Sequence, residues 1–263
     1  MKYAKWPDQS LANLALLLLT LVCGEVFGAT PLAHFGLDEE GLDGTAGELS
    51  DSQGNFNRAH ALGTGTGAAS TATARICRAL NIRDNGSVSD TWGANTGIDV
   101  DDDIGSRGAI TFWYRANSAW NSGTQRMLFD ASQSGGAEGK FFHVSITADG
   151  RVRFYVEDSR ETDLKTDTAP QKVDAGTWKH IAVTWDLPNN RYGIYIDGSL
   201  AAKGAHNSSG IIGELQTLYI GDNRSNYHFG GSDHSANGII DEARIYRTAI
   251  SEAEVLADVK RDR

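Results

Sequence analysis

Two Asp-Gly pairs, Asp149-Gly150 and Asp197-Gly198, each stand between short stretches in which apolar and polar residues alternate. This arrangement constrains the chain more than any other feature. Alternation puts the apolar side chains on one face of a strand, and Asp-Gly supplies the positive φ values of a tight hairpin turn. Phe141 to Thr147 and Arg151 to Val156 flank the first pair, and Tyr192 to Ile196 and Ser199 to Ala202 flank the second. Ile110 to Arg115, Met127 to Phe129, Trp178 to Asp186, Thr217 to Ile220 and Ile239 to Tyr246 read as further strands. Ala33, Phe35 and Leu37 share one face of an opening strand over 31–37. The period changes only at the end, where Ser251 and Glu254 have the spacing of a capping box ahead of a short helix. Strands joined by hairpins, with no alternating helices, predict an all-β, two-sheet antiparallel jelly-roll sandwich with a short C-terminal helix. Trp113, Ile181, Val183, Trp185, Ile194, Ile196 and Ile245 are its predicted core, with Trp178 beside them. The small, aperiodic segment Gly63 to Thr73 reads as a long loop.

The balance of charge narrows the partners. With 34 acidic and 24 basic residues the net charge is −10, which disfavours nucleic acid and anionic membrane surfaces because both need a basic face. Residues 1–28 have the form of an export signal. Lys2 and Lys5 precede the apolar stretch Leu11 to Val22, which is too short to span a bilayer, and Gly28 ends a segment suited to cleavage after Gly28 or Ala29. The alternative is a lipid anchor on Cys23, where Val22 is a poor match for the small residue wanted. Cleavage leaves the domain 31–263, not membrane-spanning, with an expected address in the periplasm, on the cell surface or outside the cell. It also leaves Cys77 without an intradomain partner, since Cys23 is the only other cysteine.

Four ordered segments carry a family resemblance: Trp178-Lys-His-Ile-Ala-Val-Thr-Trp-Asp186, Ile194-Tyr-Ile-Asp-Gly198, Leu218-Tyr-Ile-Gly-Asp222, and Ile240-Asp-Glu-Ala-Arg-Ile-Tyr246 running into Ala249 to Glu254. Together they resemble the laminin G-like jelly roll of the concanavalin A-like lectin and glucanase superfamily. Leu37-Asp-Glu-Glu, Gly44 to Asp51, Arg75-Ile-Cys-Arg78, Gly97 to Asp101 and Met127 to Asp130 resemble the N-terminal region of bacterial mannose-sensitive haemagglutinin pilus biogenesis proteins. That family often carries a cysteine in the acidic segment, placed to pair with the position of Cys77. Here Glu39-Glu40 stands in that segment, so the resemblance implies no intradomain disulfide. Those proteins are also longer, so the chain reads as a shortened or split version.

Enzymes of the superfamily align carboxylates along one strand. The nearest pattern, Glu157-Asp158-Ser-Arg-Glu161, puts Asp158 on the wrong face and reads as a solvated strand end and turn. The cluster Asp99, Asp101, Asp102 and Asp103 lacks the glycine and glutamate of an EF-hand and reads as exposed. His180, within a core strand, reads as hydrogen-bonded and partly buried. Trp92, Trp120, Tyr227 and Phe229 lie in turn-rich segments, where an aromatic face can stack on a sugar ring; the plainer reading is that they cover the ends of the sandwich. Asp38, Asp51, Asn55 and Asp241 are the candidate ligands of one structural calcium ion where the first and last strands meet, and related jelly rolls often hold calcium there; the plainer reading is a set of turn-forming residues. The expected function is an exported, non-catalytic recognition module for glycan or a surface protein. The alternatives are a structural or assembly component of a pilus or surface apparatus and, last, a glycoside-cleaving enzyme.

Overall fold

The computed structural model describes residues 28–65, 67–84, 92–133, 141–204, 206–222 and 233–262. Within them the strands are β1 (Ala33–Phe35), β2 (His60–Leu62), β3 (Ala68–Thr71), β4 (Ala79–Ile82), β5 (Gly93–Asp99), β6 (Arg107–Ala116), β7 (Gln125–Asp130), β8 (Phe142–Ile146), β9 (Val152–Glu157), β10 (Asp163–Asp167), β11 (Trp178–Asp186), β12 (Arg191–Ile196), β13 (Ser199–Gly204), β14 (Thr217–Ile220), β15 (Asp233–His234) and β16 (Gly238–Tyr246). The helix α1 (Glu252–Arg261) closes the fold. One sheet has the order β13-β12-β11-β6-β16-β4-β3, with β1 also on β16; the other has the order β10-β9-β8-β7-β14-β5-β2, with β15 on β7. Every pairing is antiparallel except β15 with β7. This is the expected two-sheet sandwich.

The alternation in β11 explains how the sheets are held. Ile181, Val183 and Trp185 point into the main core, while Ala182 belongs to a smaller cluster on the opposite face. The Trp185 ring meets Phe142 and Phe154 of the second sheet at 5.1 and 5.8 Å between centroids, and Phe112 meets Phe129 at 4.6 Å. Gly108 lies opposite Trp185 in the ladder. A β-carbon there would sit 2.2 Å from the indole, so this residue must lack one. The buried indole N–H donates to the Gly105 carbonyl at 3.0 Å. The turn between β12 and β13 places Asp197 and Gly198 at φ 52° and 85°, as its sequence requires.

Three expectations are corrected. The supposed loop 63–73 contains β3, paired with β4 at the edge of the first sheet. Its Ala-Ala-Ser-Thr sequence has no hydropathy alternation, so only the pairing reveals it. Trp178 and Ile196 are half-buried. His180 is fully buried, and among the described residues neither ring nitrogen has a hydrogen-bond partner. It packs edge-on against Trp113 at 5.3 Å, and burial pushes its pKa down to about 4.

The outer face of the first sheet is partly covered by α1. Ala109, Ala182 and Tyr246 are small or flat there, so Ile250 and Val255 pack onto the sheet. Ser251 and Glu254 form the predicted capping box. Beneath the helix, Asp258 accepts from Thr111 and Tyr246 at 3.0 and 2.6 Å. Asp262 accepts from the Trp113 indole at 3.1 Å and from two nitrogens of Arg244, each at 2.8 Å. Arg244 also donates to Glu242, which in turn pairs with His34 of β1 at 2.8 Å. Arg244 is only 2% exposed. Replacing it by Met should leave Asp262 and Glu242 buried without their cation, a loss of about 3–5 kcal/mol. Urea denaturation of Arg244→Met checks this; a midpoint equal to that of the parent would refute the role given to the network.

Candidate functional site

Sheet register builds an open cavity beside α1. On the outer face of β11, β12 and β13, Asp186 lies opposite Arg191, Thr184 opposite Gly193, and Gly193 opposite Lys203. In the next row Ala182 lies opposite Tyr195, which lies opposite Leu200. Gly193 has no side chain in the middle row, and the Tyr195 ring, two residues on, folds over it, with Arg191 two residues before. A β-carbon there would come within 3.0 Å of the Tyr195 ring and 3.1 Å of the Thr184 hydroxyl. With Ala249, Ile250, Ser251 and Glu254 as the far wall, the cavity has a volume of about 550 Å³, in the range of roughly 300–1,000 Å³ usual for small-ligand sites.

The electrostatics of the rim are asymmetric. Burial opposes the charge on Asp186, but hydrogen bonds from Asn189 (2.7 Å) and Arg107 (2.9 Å) outweigh it and hold the carboxyl below its ordinary range. Glu254 behaves alike: burial is outweighed by bonds from Ser251 and from the Ala29 N–H at 3.1 Å. Burial and then the Glu252 charge push the half-buried Tyr195 hydroxyl up, against a hydrogen bond with Thr184. Lys203 and Arg191 are exposed.

The second sheet carries a polar row on its outer face. Register aligns His60, Asn95, Tyr219, Asp130, His143, Tyr155 and Lys165 across seven strands. Asp130 and His143 are fully buried, so the centre of this row is not an open surface. Its signal in the sequence is the polar half of the alternation in β8 and β9.

Of the predicted aromatics, Trp92 and Trp120 lie among the described residues, and neither is exposed. Trp120 has no exposed surface and packs near Tyr114, so it is core and not a sugar platform. Trp92 is half-buried, and its indole lies where β-carbons on Gly63 and Gly67 would be. Tyr227 and Phe229 lie outside the described residues. Tyr195 was missed because a tyrosine inside an alternating strand carries no mark of exposure.

The calcium ligand set is not assembled. Among the described residues no group of three or more His, Cys, Asp or Glu side chains could hold a metal ion. The two Asp51 oxygens accept backbone N–H groups of His34, Gln53, Asn55 and Phe56, and the Asn55 amide donates to the Leu32 carbonyl. Asp38 accepts from the Arg78 N–H, and one Asp241 oxygen from the N–H groups of Arg75 and Ile76. These carboxylates pin the backbone instead of surrounding an ion. Cys77 is exposed in the segment they pin.

Two acidic segments also differ from expectation. Asp99 ends β5 and Val100–Ile104 form a π-helical turn, in which Asp102 is exposed while Asp99, Asp101 and Asp103 are half-buried. Asp101 is drawn to the Leu215 N–H at 2.9 Å, and burial, with Asp101 nearby, pushes Asp99 up to about 6. Glu157 and Asp158 are buried rather than solvated. Asp158 accepts from the backbone of Arg160, Thr162 and Ser209 and shapes the turn.

The two antiparallel sheets define a jelly-roll sandwich. The chain belongs to the concanavalin A-like lectin/glucanases superfamily, whose profile matches residues 93–256. No curated protein sequence matches it. Its fold is similar to domain 4 of an extracellular arabinanase from Geobacillus stearothermophilus, solved in complex with arabinotriose (TM-score 0.63, 21% identity, covering 88% of this chain and 99% of that one). It is also similar to the receptor binding domain of botulinum neurotoxin type G (TM-score 0.57, 14% identity, 88% and 51%). A third similar structure is the binding domain of Paraclostridial Mosquitocidal Protein 1 (TM-score 0.56, 17% identity, 84% and 52%). The chain spans about half the length of the two toxin domains. At these identities the likeness establishes the fold.

Asp241 gives a pH test of the pinned segment. Burial pushes its pKa up to about 7, above the unfolded value of about 4. The native state then keeps a proton that the unfolded state releases, so this residue's contribution is full below about pH 4 and is lost as pH rises toward about 7. Asp241→Asn cannot ionise and should flatten that part of the profile, gaining stability relative to the parent at pH 8. Thermal melts at pH 4.5 and 8 check this, and parallel profiles would refute it.

Proposed function

We propose that the domain is an exported, non-catalytic carbohydrate-recognition module that binds its ligand in the cavity over Gly193. The observation that carries this is the packing of a half-buried tyrosine ring over the bare backbone of Gly193, among side chains able to hydrogen-bond hydroxyls. A sugar ring has an apolar face for the ring of Tyr195 and an edge of hydroxyls for Thr184 and Ser251. Membership of a lectin and glucanase superfamily supports the reading, as does the arabinanase domain solved with arabinotriose. The N-terminal sequence, with its basic start and apolar stretch, supports export.

The chemistry of the rim favours binding over cleavage. A glycoside-cleaving site needs one carboxyl that keeps its proton near neutral pH. Asp186 and Glu254 are both held in the ionised form and engaged in hydrogen bonds. A glycan array probed with the purified domain tests the proposal. A ligand class should emerge, and Tyr195→Ala should weaken it about tenfold, or about 1.4 kcal/mol, in a protein that circular dichroism shows still folded. An array without hits, together with capture of a defined surface or pilus protein, would replace the glycan with a protein partner.

A further inference from the structure

We infer that the saccharide taken by this cavity is acidic, bearing a carboxylate or sulfate on the ring that rests against Tyr195. The inference deepens the proposed glycan site and rests on that reading. It starts from which rim charges are already satisfied. Asp186 is bonded to Arg107 and Asn189, Glu254 to Ser251 and Ala29, and Glu252 accepts from the Leu200 N–H at 3.4 Å. Lys203 and Arg191 line the same cavity and are exposed, and among the described residues their side chains take part in no hydrogen bond or ion pair. Asp186 is neutralised by Arg107 and Glu254 keeps its charge on the far wall, so on the sheet side of the cavity the two cations without an ion-pair partner, Lys203 and Arg191, form a local site for negative charge.

The geometry directs that charge. Lys203 faces Gly193 across the ladder, and Arg191 is two residues before Gly193 on the same face. The Tyr195 ring packs over the bare backbone of Gly193, so a sugar ring stacked on Tyr195 would hold its substituent above the sheet, within reach of the two cations. Arg191 offers a planar fork suited to a carboxylate or sulfate, and Lys203 a mobile point charge. A neutral sugar would use the tyrosine but neither charge.

Isothermal titration of the whole domain with trigalacturonate, sulfated galactotriose and neutral galactotriose tests this. At least one acidic sugar should bind about tenfold tighter than the neutral one at low salt, and the advantage should shrink as salt screens the exposed cations. The carboxylated and sulfated arms identify the anion. Lys203→Met and Arg191→Met should each remove most of the advantage and leave neutral binding unchanged, while Lys203→Arg should retain it. If neutral and acidic sugars bind alike, or if the acidic advantage survives both Met variants, the inference is overturned and the glycan site stands. If no sugar binds and a glycan array is also blank, the glycan reading itself fails, and this inference with it.

Discussion

A guanidinium group buried outside the main core organises this domain. Arg244 projects from the closing strand toward the helix, and its charge must be neutralised there. Asp262 at the end of α1 does so from one side and Glu242 of the same strand from the other. Glu242 then recruits His34, and β1 adds to the edge of β16. The first strand, the last strand and the terminal helix are thus tied to one charge.

That arrangement also decides where the outer face is open. Over β6, β11 and β16 the small or flat residues Ala109, Ala182 and Tyr246 admit the helix, and the polar groups beneath it are satisfied by Asp258 and Asp262. Beyond the helix, toward β12 and β13, the same face bears Gly193, Tyr195 and Lys203 and has no such cover. The start of α1, fixed by its capping box, forms the wall of the cavity. The element that stabilises the termini therefore also shapes the candidate binding site.

The strands with hydropathy alternation and Asp-Gly turns were legible from the chain alone, because periodicity and positive φ are local properties. The strands β2, β3, β4, β5, β10 and β15 were not; Ala-Ala-Ser-Thr of β3 and Asp-Leu-Lys-Thr-Asp of β10, for example, gain their place from their neighbours. Trp113 and Trp185 were both read as core, yet they lie on opposite faces of one sheet, one facing the sandwich interior and one the helix. The candidate site was read less well. Trp120 looked like a loop aromatic and is fully buried, whereas Tyr195 looked like an ordinary strand residue and borders the cavity.

By itself the sequence determined the class of fold, the position of most strands, the hairpin turns and the helix cap, all of which depend on residues within a few positions of one another. Only the tertiary structure decided how distant groups are used. Asp38 and Asp241 could have met at an ion, but the chain brings backbone N–H groups to each of them, and among the described residues no group of three His, Cys, Asp or Glu side chains assembles around an ion. Gly193 could have been any strand glycine; the register that sets Thr184 and Lys203 on either side of it makes it the floor of a cavity. Such roles follow from register across strands far apart in the chain, and no local pattern records them.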